Sequence, residues 1–390
     1  MEPTNYGLTR TSFQLDPALD CGIFAGREDV RDRLEARIRR GLATNTSVHT
    51  FIYGDYGSGK THTLHYFHKY VSEQHDTDIL PIFVQTPQID AKSTPSHLFR
   101  SIVSSISPVE IFNLFSIIYD AHQNEMQSYP DLYTKVSLLN NYVKNRDLSN
   151  IIYKYILSRP SIDYSVLKWL SGEKCTAKEK QNLNVILDNS DPNVAIRTLL
   201  TLFKLFNQYN KKYVLLLLDE LETLRVLSPK KMVDFETFFR QLVSEQHGLA
   251  IVMAQSVQQS LEEGVPIFLG GSPVGTRIGY PQNYIYLQPF DTSESLLGFV
   301  KDLIAQLRPP NIDIGKLIKA VKSETDETMN EELYPFSEEA LDLLAQRIID
   351  AGRELYPRDI QNAATQCLGE VISNDKKIIN SEIVSIVMTI

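Results

Sequence analysis

Two kinds of apolar pattern alternate along the chain. Short runs, apolar at almost every position, occur at His49 to Tyr53 (HTFIY), Ile79 to Gln85 (ILPIFVQ), Tyr213 to Asp219 (YVLLLLD), Gly248 to Ser256 (GLAIVMAQS) and Tyr284 to Phe290 (YIYLQPF). These predict strands. A strand that is apolar on both faces belongs inside a parallel sheet covered by helices. Between the runs, residues 27–40, 61–73, 192–209 and 231–246 carry apolar residues at the helical period; Val30, Leu34 and Ile38 mark the first. Strand alternating with helix predicts an α/β, doubly wound parallel sheet.

Two stretches break the alternation. Residues 105–190 are amphipathic and rich in Tyr, Leu and Ile without a clear strand, so they predict a helical insertion in the α/β domain. After Phe290 the strand signal stops, and 293–308, 313–323, 337–351 and 357–373 read as helices. Ser337, followed by Glu338 and Glu339, fits an N-cap with acidic first-turn residues. The expected division is an N-terminal segment and helix over 1–45, an α/β core over 46–290 and an all-α unit over 291–390.

Composition adds exclusions. The 390 residues are 43% hydrophobic and 22% charged, which excludes a mainly disordered chain. No purely apolar run, Val214 to Leu218 among them, comes near the roughly 20 residues of a membrane span. Cys21, Cys175 and Cys367 are far apart and odd in number, which favours a reducing, cytoplasmic compartment over a disulfide framework. The N-terminus lacks the layout of a signal peptide. A net charge of −9 argues against a protein that coats nucleic acid with its whole surface, and leaves room for a local basic face.

Residues 54–61, GDYGSGKT, fit G-x-x-x-x-G-K-[ST] between a predicted strand and a predicted helix. Gly54, Gly57 and Gly59 allow the tight turn that presents N–H groups to phosphate oxygens; Asp55, Tyr56 and Ser58 complete the loop. The positive end of the following helix faces the same oxygens. Lys60 brings a cation to the β- and γ-phosphates and Thr61 a hydroxyl to Mg2+. Downstream, four leucines lead into Asp219 and Glu220 at the C-terminal edge of a buried strand, where ligands bind in open α/β sheets. Asp219 is placed to hold Mg2+ through its water shell and Glu220 to act as general base on water. The added glutamate points to hydrolysis rather than binding alone.

With these motifs in this order the chain resembles the AAA+ ATPases over nearly its whole length. The resemblance implies ATP and Mg2+ as ligands and the C-terminal helices as a lid. FAGRED (Phe24 to Asp29) resembles the segment before the loop in origin-recognition-type members, which implies a nucleotide contact for Arg27. AQS after the fourth strand matches the sensor-1 region, with Gln255 the better residue to touch the γ-phosphate or the water and Ser256 the second. Arg277 in GTRIGY stands where the family has an arginine finger for the neighbouring subunit, and YPRDIQNA resembles the motif carrying sensor 2, here Arg358. The opening YGLTRTSFQLDPAL and the layout AQSVQQSLEEG…GTRIGY…IYLQPF resemble secretion-associated and transposition-regulator ATPases. WLSGEKC (Trp169 to Cys175) is similar to P-loop proteins of bacterial phage-defence (BREX-type) systems, and a buried tryptophan with a turn glycine explains it equally well.

The resemblance implies a homo-oligomer, ring or filament, with shared ATP sites, acting on DNA or a DNA-bound complex. The alternative is an ATP-dependent switch that recruits a nuclease, transposase or other effector, with the aromatic insertion (Tyr153, Tyr155, Tyr164, Trp169) as docking surface. The chain ends about 30 residues after Arg358, so no winged helix is expected and double-stranded DNA would be met by short basic loops. Lys230 and Lys231 are the first candidates and Arg37 to Arg40 the second.

Overall fold

The computed structural model describes residues 2–390 apart from 76, 86–88, 91, 160, 258–266, 269–270, 323–324, 353 and 389–390. The strands are β1 (Val48–Gly54), β2 (Ile79–Val84), β3 (Tyr213–Leu218), β4 (Leu249–Ser256) and β5 (Tyr284–Tyr286). The helices are α1 (Glu28–Thr44), α2 (Lys60–Gln74), α3 (Pro95–Ser104), α4 (Pro108–Gln127), α5 (Leu132–Val143), α6 (Arg146–Ser158), α7 (Tyr164–Leu170), α8 (Ala177–Leu183), α9 (Pro192–Tyr209), α10 (Pro229–Leu242), α11 (Pro273–Ile278), α12 (Ser293–Leu307), α13 (Ile314–Val321), α14 (Glu338–Asp350), α15 (Pro357–Ser373) and α16 (Ser381–Val387). This is the α/β architecture the apolar pattern predicts: a five-stranded parallel sheet, a helical insertion and a helical C-terminal segment.

The chain forms two compact units, each discontinuous in sequence. One comprises Leu34–Tyr53 and Tyr70–Ile285. It holds the sheet, in the order β2-β3-β4-β1-β5. β3 is buried at all six positions, and it runs parallel to β2 and β4 with Leu218 opposite Val84 and Met253. β3, with four leucines in its six residues, is therefore the spine of a core that continues into the insertion, where α3 to α8 contribute Phe99, Phe115, Ile152 and Trp169. Trp169 is fully buried; its indole N–H donates to the Leu187 carbonyl at 3.1 Å, and Gly172 sits at φ +73° against Phe99. The WLSGEKC segment is thus core followed by a turn. Tyr153 and Tyr155 are also buried, whereas Tyr164 is 68% exposed.

The other unit comprises Met1–Arg33, Gly54–Lys69 and Tyr286–Ile390. Its core joins the irregular N-terminus to the C-terminal helices: Tyr6, Leu8 and Phe13 pack with residues of α12, α14, α15 and α16, and the Phe13 and Phe336 rings lie 5.5 Å apart.

Several boundaries differ from the sequence expectation. β5 stops at Tyr286 rather than Phe290, because Pro289 has no N–H to offer a ladder and the Phe290 N–H goes to the Leu355 carbonyl at 3.0 Å. α10 spans 229–242 rather than 231–246, with Pro229 at its first helical position. That places Lys230 and Lys231 in a helical first turn, not a loop. α16 and the 3-10 turn Leu221–Val226 carry too few residues to show a period. Among the described residues no single helix is long and apolar enough to cross a membrane; α3 and α4 together pass on composition but meet at 86°.

His49 on β1 is 8% exposed, and burial holds its pKa at about 4, below the ordinary 6.5. The unfolded chain takes up this proton near pH 6.5 and the folded one only near 4. Between those values the unfolded state binds more protons, so stability falls as pH drops. The loss attributable to His49 is roughly 3 kcal/mol at most. Urea midpoints at pH 7 and pH 5 should diverge, and His49→Gln should narrow the gap; an unchanged gap would remove His49 from the effect.

Candidate nucleotide site

The loop 54–61 lies in the unit that holds the C-terminal helices. It leaves β1 at Gly54, where a Cβ would stand 2.7 Å from the Leu287 carbonyl oxygen and 3.0 Å from Ser58 Oγ. Gly57 and Gly59 have φ of +88° and +99°, the left-handed region that favours glycine. The two differ in surroundings: a Cβ on Gly57 would lie 3.0 Å from Arg358 Cβ, whereas nothing stands within 4 Å of one on Gly59. The Gly59 position is thus open space over the first turn of α2.

Lys60 begins α2 and is only 6% exposed. Its ammonium donates to the carbonyls of Gly54 (2.9 Å) and Asp55 (2.7 Å) and to Ser58 Oγ (3.2 Å). A buried cation needs such oxygens. Because it stands at the positive end of a 15-residue helix, the same spot favours an anion more than a lysine. Carbonyls, hydroxyl and ammonium here form a set that a phosphate group can enter by exchanging for weaker partners. Thr61 follows on α2, half-buried; Tyr56 is 70% exposed.

Two residues selected from the sequence, Arg358 and Arg27, fare differently. Arg358 is brought to the loop: its N–H points to the Gly57 carbonyl at 3.4 Å and its guanidinium lies 4.5 Å over the Tyr56 ring. A residue that sequence reasoning passed over joins it. Tyr356 donates its phenol O–H to Asp55 Oδ2 at 2.8 Å. Arg27 is engaged elsewhere: it donates to the Gln288 carbonyl at 2.7 Å and lies 5.1 Å over the Phe290 ring, and burial lowers its pKa. Nearby, His62 of α2 hydrogen-bonds the Ile23 carbonyl, and the Phe24 and Tyr66 rings lie 4.6 Å apart.

The acidic pair lies in the sheet unit. Asp219 directly follows β3 and is 1% exposed; its N–H donates to the Val84 carbonyl at 3.1 Å, and its Oδ1 accepts from the Glu220 N–H at 2.9 Å. Glu220 adopts φ +54°, rare for a side chain of this size, and Thr223 fixes it through N–H and hydroxyl bonds to its carbonyl. β4 separates β1 from β3 and ends beside the acids in register. There Gln255 is fully buried, its Oε1 accepting from the Ile267 N–H at 2.8 Å, while its Nε2 has no partner among the described residues. The Ser256 N–H is committed to Glu222 Oε2 at 2.9 Å. The stretch from Gln258 to Pro266, which holds most of the AQSVQQSLEEG resemblance, lies outside the described residues.

Arg277 is exposed on α11 and bonds the Pro273 carbonyl of its own helix at 2.9 Å. Of the two lysines proposed for DNA, Lys230 is exposed, whereas Lys231 donates to the Ser93 carbonyl at 3.2 Å. In the second basic segment, Arg37 donates to the Gln282 carbonyl and Arg39 pairs with Glu35.

No protein-family model matches the chain, and no curated protein matches it in sequence. Solved structures do. The ORC1 protein of Aeropyrum pernix, in complex with DNA, is similar over 95% of this chain and 67% of its own, at 11% identity and a TM-score of 0.47. Cdc6p of Pyrobaculum aerophilum is similar over 90% of this chain and 64% of its own, at 14% and 0.44. Domain III of the Thermotoga maritima replication initiation protein DnaA is similar over 96% of both chains, at 15% and 0.38. This chain thus spans just under two thirds of the Cdc6p chain. At TM-scores below 0.5 these likenesses decide neither activity nor partner.

The two left-handed glycines make a paired test. Gly59→Ala meets open space and bears only the left-handed penalty, about 1–2 kcal/mol. Gly57→Ala adds a contact with Arg358 Cβ and should lose more. Urea unfolding of both variants checks the order; Gly59→Ala proving the more damaging would contradict it.

Proposed function

We propose that this chain is a P-loop ATPase of the AAA+ class, in its origin-recognition-like branch, that binds ATP with Mg2+, hydrolyses it and works as a homo-oligomer on DNA or a DNA-bound complex. The observation that carries the reading is Lys60: a buried ammonium at a helix N-terminus, held by oxygens of a loop with two left-handed glycines. Few structural roles call for that arrangement, and phosphate binding does.

Gly54, Gly57 and Gly59 leave the loop backbone free to approach phosphate oxygens, and Lys60 neutralises the β- and γ-phosphates. The Thr61 hydroxyl and the buried Asp219 carboxylate are hard oxygen ligands of the kind Mg2+ takes. Bound Mg2+ would withdraw charge from the phosphates. Glu220 takes the proton of the attacking water. Gln255 has an amide donor to spend on that water or the γ-phosphate, and Arg358 meets the phosphates from the lid. Arg277, exposed, completes the site of a neighbouring copy. Arg27 contributes to nucleotide binding through the backbone it orders. Three free cysteines suit a reducing cytoplasm.

The second reading, a switch that recruits an effector protein, draws on the insertion, where Leu157, Tyr164 and Ile186 are each more than 60% exposed. A phage-defence setting rests on the WLSGEKC likeness alone, and core packing accounts for those residues.

Glu220→Gln should retain ATP affinity and lower kcat at least a hundredfold; an unchanged rate would exclude Glu220 as base. Arg277→Ala should lose activity as an assembly yet be rescued when mixed with Glu220→Gln subunits, whose arginine is intact; absence of rescue would sink a finger acting in trans.

The ATPase rate measured with double-stranded DNA over a salt series tests the DNA arm. The rate should rise with DNA, and the rise should fade as salt increases. No stimulation by DNA, with stimulation by a protein partner, would favour the switch.

A further inference from the structure

α15 begins without a capping side chain. Its N-cap is Tyr356, in extended backbone at φ −86° and ψ 151°, with Pro357 next. Ser, Thr, Asp or Asn usually hold this place, because a short side-chain oxygen can accept a first-turn N–H. A tyrosine cannot reach back in that way. The acceptor comes instead from the nucleotide loop, whose Gly57 carbonyl faces the Arg358 N–H.

The phenol is used differently. Tyr356 is 5% exposed and donates to Asp55 Oδ2 at 2.8 Å. Asp55 also accepts, through its main-chain carbonyl, from the Lys60 ammonium at 2.7 Å. One loop residue therefore holds the loop lysine with its carbonyl and the start of α15 with its carboxylate. The approach is close: a Cβ on Gly57 would stand 3.0 Å from Arg358 Cβ. Burial, and then the carboxylates of Glu354 and Asp55, raise the Tyr356 pKa, so the phenol stays a donor.

We propose that Tyr356 is a positioning residue: its bond to Asp55 seats the first turn of α15 on the nucleotide loop and thereby sets where Arg358 stands before ATP arrives. This rests on reading the loop as an ATP site, and it goes beyond that reading by giving a role to Tyr356, which the loop, acid and sensor assignments leave without one. With the bond in place the start of α15 is already ordered, so ATP binding does not have to supply that ordering. When Lys60 turns from the Asp55 carbonyl toward a phosphate, the residue it releases is the one that carries Tyr356. Loop occupancy is transmitted to α15 by that route.

Tyr356→Phe deletes one hydroxyl and tests the proposal in the full chain. Three quantities are read: Kd for a fluorescent ATP analogue, kcat and KM for ATP, and amide hydrogen exchange of 54–61 and 355–362 without nucleotide. Tyr356→Phe should raise Kd about five- to tenfold, the net size of one ordinary hydrogen bond, and speed exchange in both segments. In an Arg358→Ala background it should leave kcat where Arg358→Ala put it. Asp55→Ala and Tyr356→Phe together should be no worse for Kd than either alone. Wild-type Kd and kcat for Tyr356→Phe, tighter binding, or full additivity with Arg358→Ala would each overturn the proposal. Should Tyr356→Phe fold poorly, Asp55→Asn keeps the shape and an oxygen acceptor and should give a Kd between wild type and Asp55→Ala; a wild-type Kd would overturn the role of the carboxylate. A wild-type chain that binds no ATP would instead overturn the ATPase reading, and the exchange measurement would still judge the Tyr356 bond.

Discussion

A buried ammonium at the positive end of a helix is unfavourable twice, once for lost hydration and once for the dipole. Lys60 is in that position, and the loop around it is the answer to the problem. Two main-chain carbonyls and a hydroxyl turn inward to meet the charge. Turning them inward within six residues requires a backbone that doubles back, which is why Gly57 and Gly59 occupy left-handed space. The same reversal leaves the Gly57 carbonyl facing the other way, toward the Arg358 N–H. The accommodation of a single cation thus also presents one of the two acceptors that α15 meets at the loop, the other being the Asp55 carboxylate.

The acidic pair meets a comparable difficulty by different means. Asp219 is buried at the end of a fully apolar-packed strand that closes on four leucines, where a carboxylate is expensive unless hydrogen-bonded. The Glu220 N–H supplies one bond at 2.9 Å, and to supply it the backbone turns sharply enough to put Glu220 at φ +54°. Two bonds from Thr223 to the Glu220 carbonyl hold the turn. Strain of order 1–3 kcal/mol is kept at a residue with a proposed proton-transfer role, as happens at sites where surrounding contacts over-determine the backbone.

Some of this was legible in the sequence and some was not, for definite reasons. β3 and the loop are local: four leucines before Asp219 and three glycines before Lys60 specify burial and backbone without help from distant residues. The insertion was legible as helical because long amphipathic segments repeat their period. The end of β5 was not, since periodicity cannot separate a strand from an extended segment whose N–H goes to Leu355 instead of a neighbouring strand. Nor was the packing of residues 1–25, because Tyr6, Leu8 and Phe13 follow no period and find their partners near the other end of the chain. Tyr356 left only a weak trace, an unusual residue at an N-cap before proline, and its meaning depends on Asp55, about 300 positions away.

The fate of the basic residues sharpens what the net charge of −9 implies. Lys231 is used on a carbonyl, Arg37 on a carbonyl, Arg39 on Glu35 and Arg27 on a carbonyl and a ring. Adjacent basic residues in a sequence are thus not a basic face; most of these cations stabilise the fold that carries them. Lys230 differs, being exposed in the first turn of α10, and Arg277 is exposed on α11 although it bonds the Pro273 carbonyl of its own helix. A single lysine, Lys230, neutralises too little phosphate for useful affinity, because electrostatic binding to DNA grows with the number of phosphates engaged. Contact with DNA through Lys230 therefore requires several copies along one backbone. The finger role proposed for Arg277 needs a neighbouring copy in the same way, so the proposed DNA contact and the proposed hydrolysis depend on the same assembly.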